Sequence, residues 1–417
     1  MVKLLIIADD FTGALDTGIQ FAKKGIETQV FTGTKLDRDS ISEKTQVLVI
    51  DSETRPVSAD EAYTAVKKVV CQAVQMGIKA FYKKTDSALR GNLGSELAAV
   101  LDGTEARRIC FIPALPDAGR TTEKGIQYVD GVKLEDSSFG KDPFDPMHCS
   151  SVKEILEKQT DKSVRVVEKN QELPDQVQGQ EITVFDASEN QDILRRIEEL
   201  KEKNELKIMA GCAGFASFLP EALGLRGNYR QHIRKTEFFY VACGSLNPIT
   251  ESQISYAQEK GFCRKNLLPE QKLCPDYYET VQGRTFLEEL AELCRKKKCI
   301  EVDTFDLEGR ESTEEYARRS GISCSGIRFS VTACHGKILR YLVEQNLDMT
   351  ILLTGGDTLM GFMKEIGVNQ ISPVAEIGQG TVLSKLYWNG KTLQVLSKSG
   401  GFGEKEVLVK LAGELTA

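Results

Sequence analysis

Leu4-Leu-Ile-Ile-Ala8 running into Asp9-Asp-Phe-Thr-Gly13 is the stretch that decides the fold. Five consecutive apolar residues without alternation read as a strand buried on both faces. The Asp pair that follows reads as the turn into a helix, expected over 12–24. The same unit recurs along the chain. Strands are expected at Val47–Asp51, 80–84, 109–113, 182–186, 208–210, Phe238–Cys243, 351–354 and 393–396, with helices over 60–76, 190–203, 248–260, 286–297, 331–345 and 359–366. Strands that alternate with helices of this length imply crossover units and parallel sheets covered on both faces. The class is therefore α/β. Residues 125–148 lack periodicity and read as a long loop.

At ~150 residues per domain, a 417-residue chain holds two or three domains. Gly224, Gly227 and Asn228 precede a basic stretch, 229–235, and a fresh strand starts at Phe238, so the expected division is 1–228 and 229–417. With 41% apolar and 28% charged residues, the chain has material for a sizeable core. A formal charge of −7 argues against a nucleic-acid partner, because a phosphate backbone rewards excess Lys and Arg. Eleven cysteines without a C-x-x-C pair read as reduced thiols, which points to the cytoplasm. The apolar N-terminal run is too short for a secretion signal, and no stretch approaches the ~18 apolar residues of a membrane span.

Polar clusters fall where the strands end. Asp9 and Asp10 follow the first strand. Lys83-Lys-Thr-Asp-Ser-Ala-Leu-Arg-Gly-Asn92 follows the one at 80–84, and Pro113-Ala-Leu-Pro-Asp-Ala-Gly-Arg-Thr-Thr122 the one at 109–113. Ligands of parallel α/β sheets bind at the carboxyl ends of strands, so the three clusters converge on one site. Carboxylates, cations and hydroxyls in this mixture suit a polar, anionic, hydroxylated molecule. Each cluster has a plainer explanation, since an Asp pair also caps a helix and Lys-Lys-Thr-Asp-Ser also makes a solvated turn. Three such clusters after three strands favour the shared site. The second half repeats the arrangement with glycine. Gly244-Ser-Leu-Asn-Pro248, Thr354-Gly-Gly-Asp-Thr358 and Ser397-Lys-Ser-Gly-Gly-Phe-Gly403 each follow a strand and precede a helix. Glycine lets backbone N–H groups approach a phosphate, and a helix N-terminus adds positive charge. Walker A and G-x-G-x-x-G patterns are both absent, and three histidines without paired cysteines argue against structural zinc.

At these six clusters the chain resembles the four-carbon acid sugar kinase family. The likeness runs from Ala8-Asp-Asp-Phe-Thr-Gly-Ala14 through Lys83-Lys-Thr-Asp-Ser, Leu89-Arg-Gly-Asn92, Pro116-Asp-Ala-Gly-Arg120 and Asp142-Pro143, then through the three glycine turns. It implies an N-terminal sugar-acid-binding domain, a C-terminal ATP-binding domain and a cleft between them. The implied partners are a small sugar acid and ATP with Mg²⁺, with no nucleic acid or membrane; a homo-oligomer is compatible with the sequence. Implied substrate contacts are Asp9, Asp10, Arg55, Lys84, Thr85, Asp86 and Ser87. Implied ATP contacts are Ser245, Gly355, Gly356, Asp357, Thr358, Gly400 and Gly401. The chain departs from the family at Ala88, where a hydroxyl residue is usual, and at Asp357, where Glu is common.

Phosphoryl transfer needs positioning, charge neutralisation and a base beside the attacking hydroxyl. Lys84, Arg90 and Arg55 are the cations for the acid's carboxylate, and Arg120 stands in the third cluster. For the base the reading favours Asp86, with Asp10 or Asp9 as alternatives; no residue is assigned to a metal. The rivals are a sugar-acid phosphatase, a sugar-acid dehydrogenase, and a non-catalytic sensor of sugar acid and nucleotide.

Overall fold

In the computed structural model, which describes residues 2–141, 146–229, 232–378 and 380–417, the chain forms two compact units, residues 1–230 and 231–417. Asp142-Pro143 lies outside the described residues. In the first unit the strands are β1 (Leu4–Ala8), β2 (Thr28–Thr32), β3 (Val47–Asp51), β4 (Phe81–Lys84) and β5 (Arg108–Ile112), followed by β6 (Arg120–Glu123), β7 (Ile126–Val129), β8 (Val132–Lys133), β9 (Ser163–Val167), β10 (Glu181–Phe185) and β11 (Ile208–Gly211). Eight of them form one parallel sheet in the order β2-β3-β1-β4-β11-β5-β10-β9. Every residue of β1 and β3 is buried, as unbroken apolar runs require of strands with both faces covered. The helix Phe11–Ala22 packs with Ala213–Ala222, and Ala59–Gln75 packs with Leu93–Thr104.

The register matters for the site. Ala8, the last residue of β1, pairs with Asp51 on one side and with Lys84 on the other, and Lys84 pairs in turn with Gly211. Four strands thus end level, and the loops after them leave from one edge.

The segment 125–148, expected to be a loop, is partly structured. β6, β7 and β8 form a separate antiparallel sheet, and Leu134–Asp136 adds a helical turn. Strands of two to four residues with positive-φ turns at Lys124 and Asp130 leave no readable periodicity.

The second unit contains β12 (Phe238–Cys243), β13 (Cys263–Asn266), β14 (Cys299–Asp303), β15 (Met349–Thr354), β16 (Gln370–Gly378), β17 (Thr381–Trp388) and β18 (Lys391–Lys398). Their order is β13-β14-β12-β15-β18-β17-β16. The first five run parallel, whereas β17 and β16 are antiparallel. Cys243 of β12 pairs with Thr354 of β15, which pairs with Lys398 of β18, so the glycine turns also leave level. Cys334-His335, expected at a helix start, lies in the middle of the helix Cys324–Glu344, with both side chains buried. Among the described residues no helix is long and apolar enough to cross a membrane.

Candidate active site

The clusters after β1, β3 and β4 are neighbours because their strands are neighbours and end together. Arg55, four residues beyond β3, sits at the centre. Its Nε donates to Asp9 Oδ2 at 2.8 Å, and its Nη2 lies 2.9 Å from Asp10 Oδ1 and 3.9 Å from Asp86 Oδ1. The Arg55 backbone N–H also donates to the Asp9 carbonyl at 3.2 Å, which fixes the base of the side chain. From the other side Arg90 holds Asp86 with two bonds, Nε to Oδ2 at 2.8 Å and Nη2 to Oδ1 at 3.1 Å. Burial works against the Asp86 charge, but Arg55, Arg90 and Lys84 outweigh it and hold the carboxyl well below the usual range. Asp9 follows the same logic: burial raises its pKa, while Arg55, Lys83 and Lys84 pull it below the ordinary value.

Asp10 is different. Burial lifts its carboxyl above the ordinary range; Asp9 and Asp86 add to that rise, and Arg55 and Lys84 oppose it. Its Oδ1 accepts the Gly13 N–H at 3.0 Å, capping the helix Phe11–Ala22. The capping explanation therefore holds, and the same oxygen also lies 2.9 Å from Arg55 Nη2. The Asp10 side chain is 30% exposed, against 1% for Asp9 and 12% for Asp86, so it is the most accessible of the three carboxylates.

Behind the cluster runs a buried network that spacing did not reveal. Lys83, fully buried, lies 3.1 Å from Glu96 Oε2 and donates to the Lys84 carbonyl at 2.8 Å. Glu96 also accepts the Thr54 hydroxyl; Thr54 shares a hydrogen bond with Ser52, whose Oγ donates to the Ala8 carbonyl at 2.7 Å. β1, β3, β4 and the helix Leu93–Thr104 are thereby tied into one wall. The readable signal was a single Glu inside the apolar run Leu93-Gly-Ser-Glu-Leu-Ala-Ala-Val-Leu101.

The remaining candidates lie further out. Arg120 reaches the cluster through Phe139, whose ring carries the Arg120 guanidinium at 5.5 Å and that of Arg90 at 5.2 Å. Thr85 is buried, and its Oγ1 and Asp9 Oδ1 have no hydrogen-bond partner among the described residues. Ser87 follows on the same turn, where its carbonyl accepts Gln127 Nε2 at 3.2 Å.

In the second unit the structure brings Ser245 and Gly400 together. A Cβ on Gly400 would stand 2.4 Å from Ser245 Oγ, so only glycine allows this approach. Gly355 has φ +89° and ψ 134°, a conformation side chains avoid, and its N–H donates to the Lys398 carbonyl at 2.9 Å. That bond ties the turn of Gly355, Gly356 and Asp357 to the turn of Gly400 and Gly401. Thr358 braces the first turn from within, its Oγ1 donating to the Thr354 carbonyl at 2.9 Å. Asp357 is exposed and pairs with Arg328 Nε at 2.6 Å. Asn247 Oδ1 accepts the Ile249 N–H at 2.9 Å, and Pro248 occupies the first helical position. Hydrogen bonds thus join these turns to one another where the strands end. Among the described residues no three His, Cys, Asp or Glu side chains gather to hold a metal.

The strand ends of the first unit are thus lined with charged side chains and those of the second with glycine turns. The profile of the sugar-binding N-terminal domain matches residues 4–219, and that of the nucleotide-binding C-terminal domain matches residues 240–408. The chain belongs to the four-carbon acid sugar kinase family. It is 28% identical to a D-threonate kinase of Salmonella typhimurium, over 98% of this chain and 97% of the relative. Identity to a 3-oxo-tetronate kinase of Pectobacterium atrosepticum is 24% over the whole of both chains. A D-erythronate kinase of Heliobacterium modesticaldum is 35% identical over 39% of this chain and 38% of its own. Solved structures from Salmonella typhimurium and Haemophilus influenzae share the fold, with TM-scores of 0.79 and 0.74 at 20% and 19% identity. The first covers all of both chains, the second 99% of this one and 100% of its own.

Proposed function

We propose that the protein is a kinase that transfers the γ-phosphoryl group of ATP to the terminal hydroxyl of a four-carbon sugar acid such as threonate, erythronate or 3-oxo-tetronate. The relatives' names support the reaction class. The observation that carries it is the Arg55 cluster, which combines guanidinium groups for a carboxylate with one partly exposed carboxylate for a hydroxyl. A sensor needs the cations but not that carboxylate.

In this reading Arg55, Lys84 and Arg90 bind the acid's carboxylate, with the guanidiniums favoured for paired hydrogen bonds. Asp10 serves as the base in preference to Asp86. Asp86 accepts two hydrogen bonds from Arg90 and its basicity is depressed, whereas the Asp10 carboxyl, though 2.9 Å from Arg55 Nη2, is raised and partly exposed. The hydroxyl oxygen forms a bond to the γ-phosphorus, the bond to the β–γ bridging oxygen breaks, ADP leaves, and the proton passes to Asp10. The turns at Ser245, Gly355-Gly356-Asp357-Thr358 and Gly400-Gly401 hold the nucleotide phosphates by backbone N–H groups. Mg²⁺, arriving with the nucleotide, would supply neutralisation of the phosphate charge, since no cluster of protein ligands gathers for it among the described residues. Incubating the protein with ATP, Mg²⁺ and a panel of four-carbon acids tests the reading. ADP formation that depends on one acid supports it; binding of acid without turnover favours the sensor.

A further inference from the structure

Lys398 is the last residue of β18, the strand that feeds the Gly400–Gly401 turn. It is 1% exposed, and its Nζ donates to the carbonyl of Ser399 at 3.0 Å. The Ser399 carbonyl also accepts the Phe402 N–H at 3.3 Å, so it closes the turn whose two central residues are Gly400 and Gly401. The next carbonyl, that of Gly400, accepts Thr250 Oγ1 at 2.9 Å. Beyond it the carbonyls of Phe402, Gly403 and Glu404 all accept Gln253 Nε2, at 3.2, 2.8 and 3.1 Å.

In a trans peptide the N–H points opposite to the C=O. With the Ser399 carbonyl drawn back to Lys398 and the Gly400 carbonyl drawn to Thr250, the amides of Gly400 and Gly401 are turned away from those two donors. We propose that Lys398 is the positioning residue of the nucleotide phosphate turn: its ammonium group fixes the Ser399–Gly400 peptide so that the glycine amides face the phosphates, and its positive charge is the one the phosphates neutralise. This deepens the kinase reading and rests on its assignment of nucleotide to the second unit.

The surroundings of Lys398 fit that role. Thr354 and Thr381 flank it on the neighbouring strands, and no carboxylate pairs with it among the described residues. Burial lowers its pKa to about 8, opposed only by Cys243. The Cys243 thiol is itself pushed up to about 12 by burial. An ammonium held in this way is a charge awaiting an anion. A lysine serving only to brace the fold would more usually be matched by a carboxylate, because an unmatched buried charge costs stability.

The test is calorimetry on the full chain with ADP and, separately, with adenosine, for wild type, Lys398→Met and Lys398→Arg. We expect Lys398→Met to bind ADP roughly 10- to 100-fold more weakly, the worth of the phosphate hydrogen bonds lost when the glycine amides are no longer held in place. Adenosine and sugar-acid affinity should stay unchanged, and the ligand-free melting temperature should not fall. Lys398→Arg, which keeps the charge, should retain most of the preference for ADP over adenosine. Equal weakening of ADP and adenosine in Lys398→Met means a structural role and overturns the proposal, as does undiminished ADP binding. Should Lys398→Met not fold, loss of the ADP preference in Lys398→Arg overturns it. Failure of the wild type to bind ADP at all would instead refute the kinase reading beneath it.

Discussion

Lys83 and Lys398 occupy matching places in the two units. Lys83 is the penultimate residue of β4 and Lys398 the last of β18; each is almost wholly inaccessible, and each donates to the carbonyl of the next residue, at 2.8 and 3.0 Å. Their surroundings differ. Lys83 lies 3.1 Å from Glu96 inside a network that continues to Thr54, Ser52 and Ala8. Lys398 faces threonines and a neutral thiol. The first unit balances its charges internally, so the side chains proposed to bind the acid are held in place by one another. The second unit pairs no carboxylate with Lys398 among the described residues, and the proposed nucleotide site there is built from backbone turns. A small sugar acid demands directional side-chain contacts, whereas a polyphosphate is well served by rows of N–H groups.

If that contrast is right, neutralising one side chain in the first unit should cost the most. Asp10→Asn should lower kcat by about 10²–10⁴, the usual range for loss of a general base, with the KM for the acid changed far less. Asp86→Asn should do the reverse and act mainly on KM. A steady-state comparison of the two variants reads this directly. The pH profile adds a sign. Asp10 must be ionised to accept a proton and its pKa is raised, so kcat should fall on the acid side at a pH above the ordinary carboxylate range. A profile flat down to that range would point to a base of lowered pKa.

Next in size is the pairing of the two lysines. Lys83→Met strands the buried Glu96 carboxylate and should cost about 3–5 kcal/mol of stability, seen as an earlier denaturation midpoint. Lys398→Met strands no carboxylate and should leave the midpoint nearly unmoved. Equal losses would erase the difference between the units. Gly355→Ala comes third. Its φ of +89° should cost of order 1–3 kcal/mol and weaken ADP binding without touching the acid, as thermal shifts with each ligand would report. Arg328→Ala comes last. The ion pair with Asp357 is exposed and should contribute less than about 1 kcal/mol to stability.

The sequence made the parallel strands legible because they are unbroken apolar runs, and the site followed from where the runs stop. β1, β3 and β12 match the expected spans residue for residue. The mixed sheet edge of β16 and β17 was not legible, since β16 is half-exposed and its pairing with β17 carries bulges. Arg55 entered through family likeness alone: nothing local marks Ser52-Glu-Thr-Arg55 as more than a loop, and its role arises from the level ends of β1, β3 and β4. Glu96, and its pairing with Lys83, escaped for a related reason. A buried ion pair forms between residues distant in sequence, and each half alone looks like a surface charge. Asp10 and Asp86 were both visible, but their order as bases depended on which arginines face them.

The central claim is that the two units hold two chemically distinct ligands independently. Crossed calorimetry on the full chain tests it most directly, titrating Arg55→Met and the double variant Ser245→Ala, Gly356→Val with a four-carbon acid and with ADP. The account predicts that the Arg55 variant loses the acid and keeps ADP, and that the double variant loses ADP and keeps the acid. Loss of acid binding in the double variant, with ADP binding intact, would contradict it.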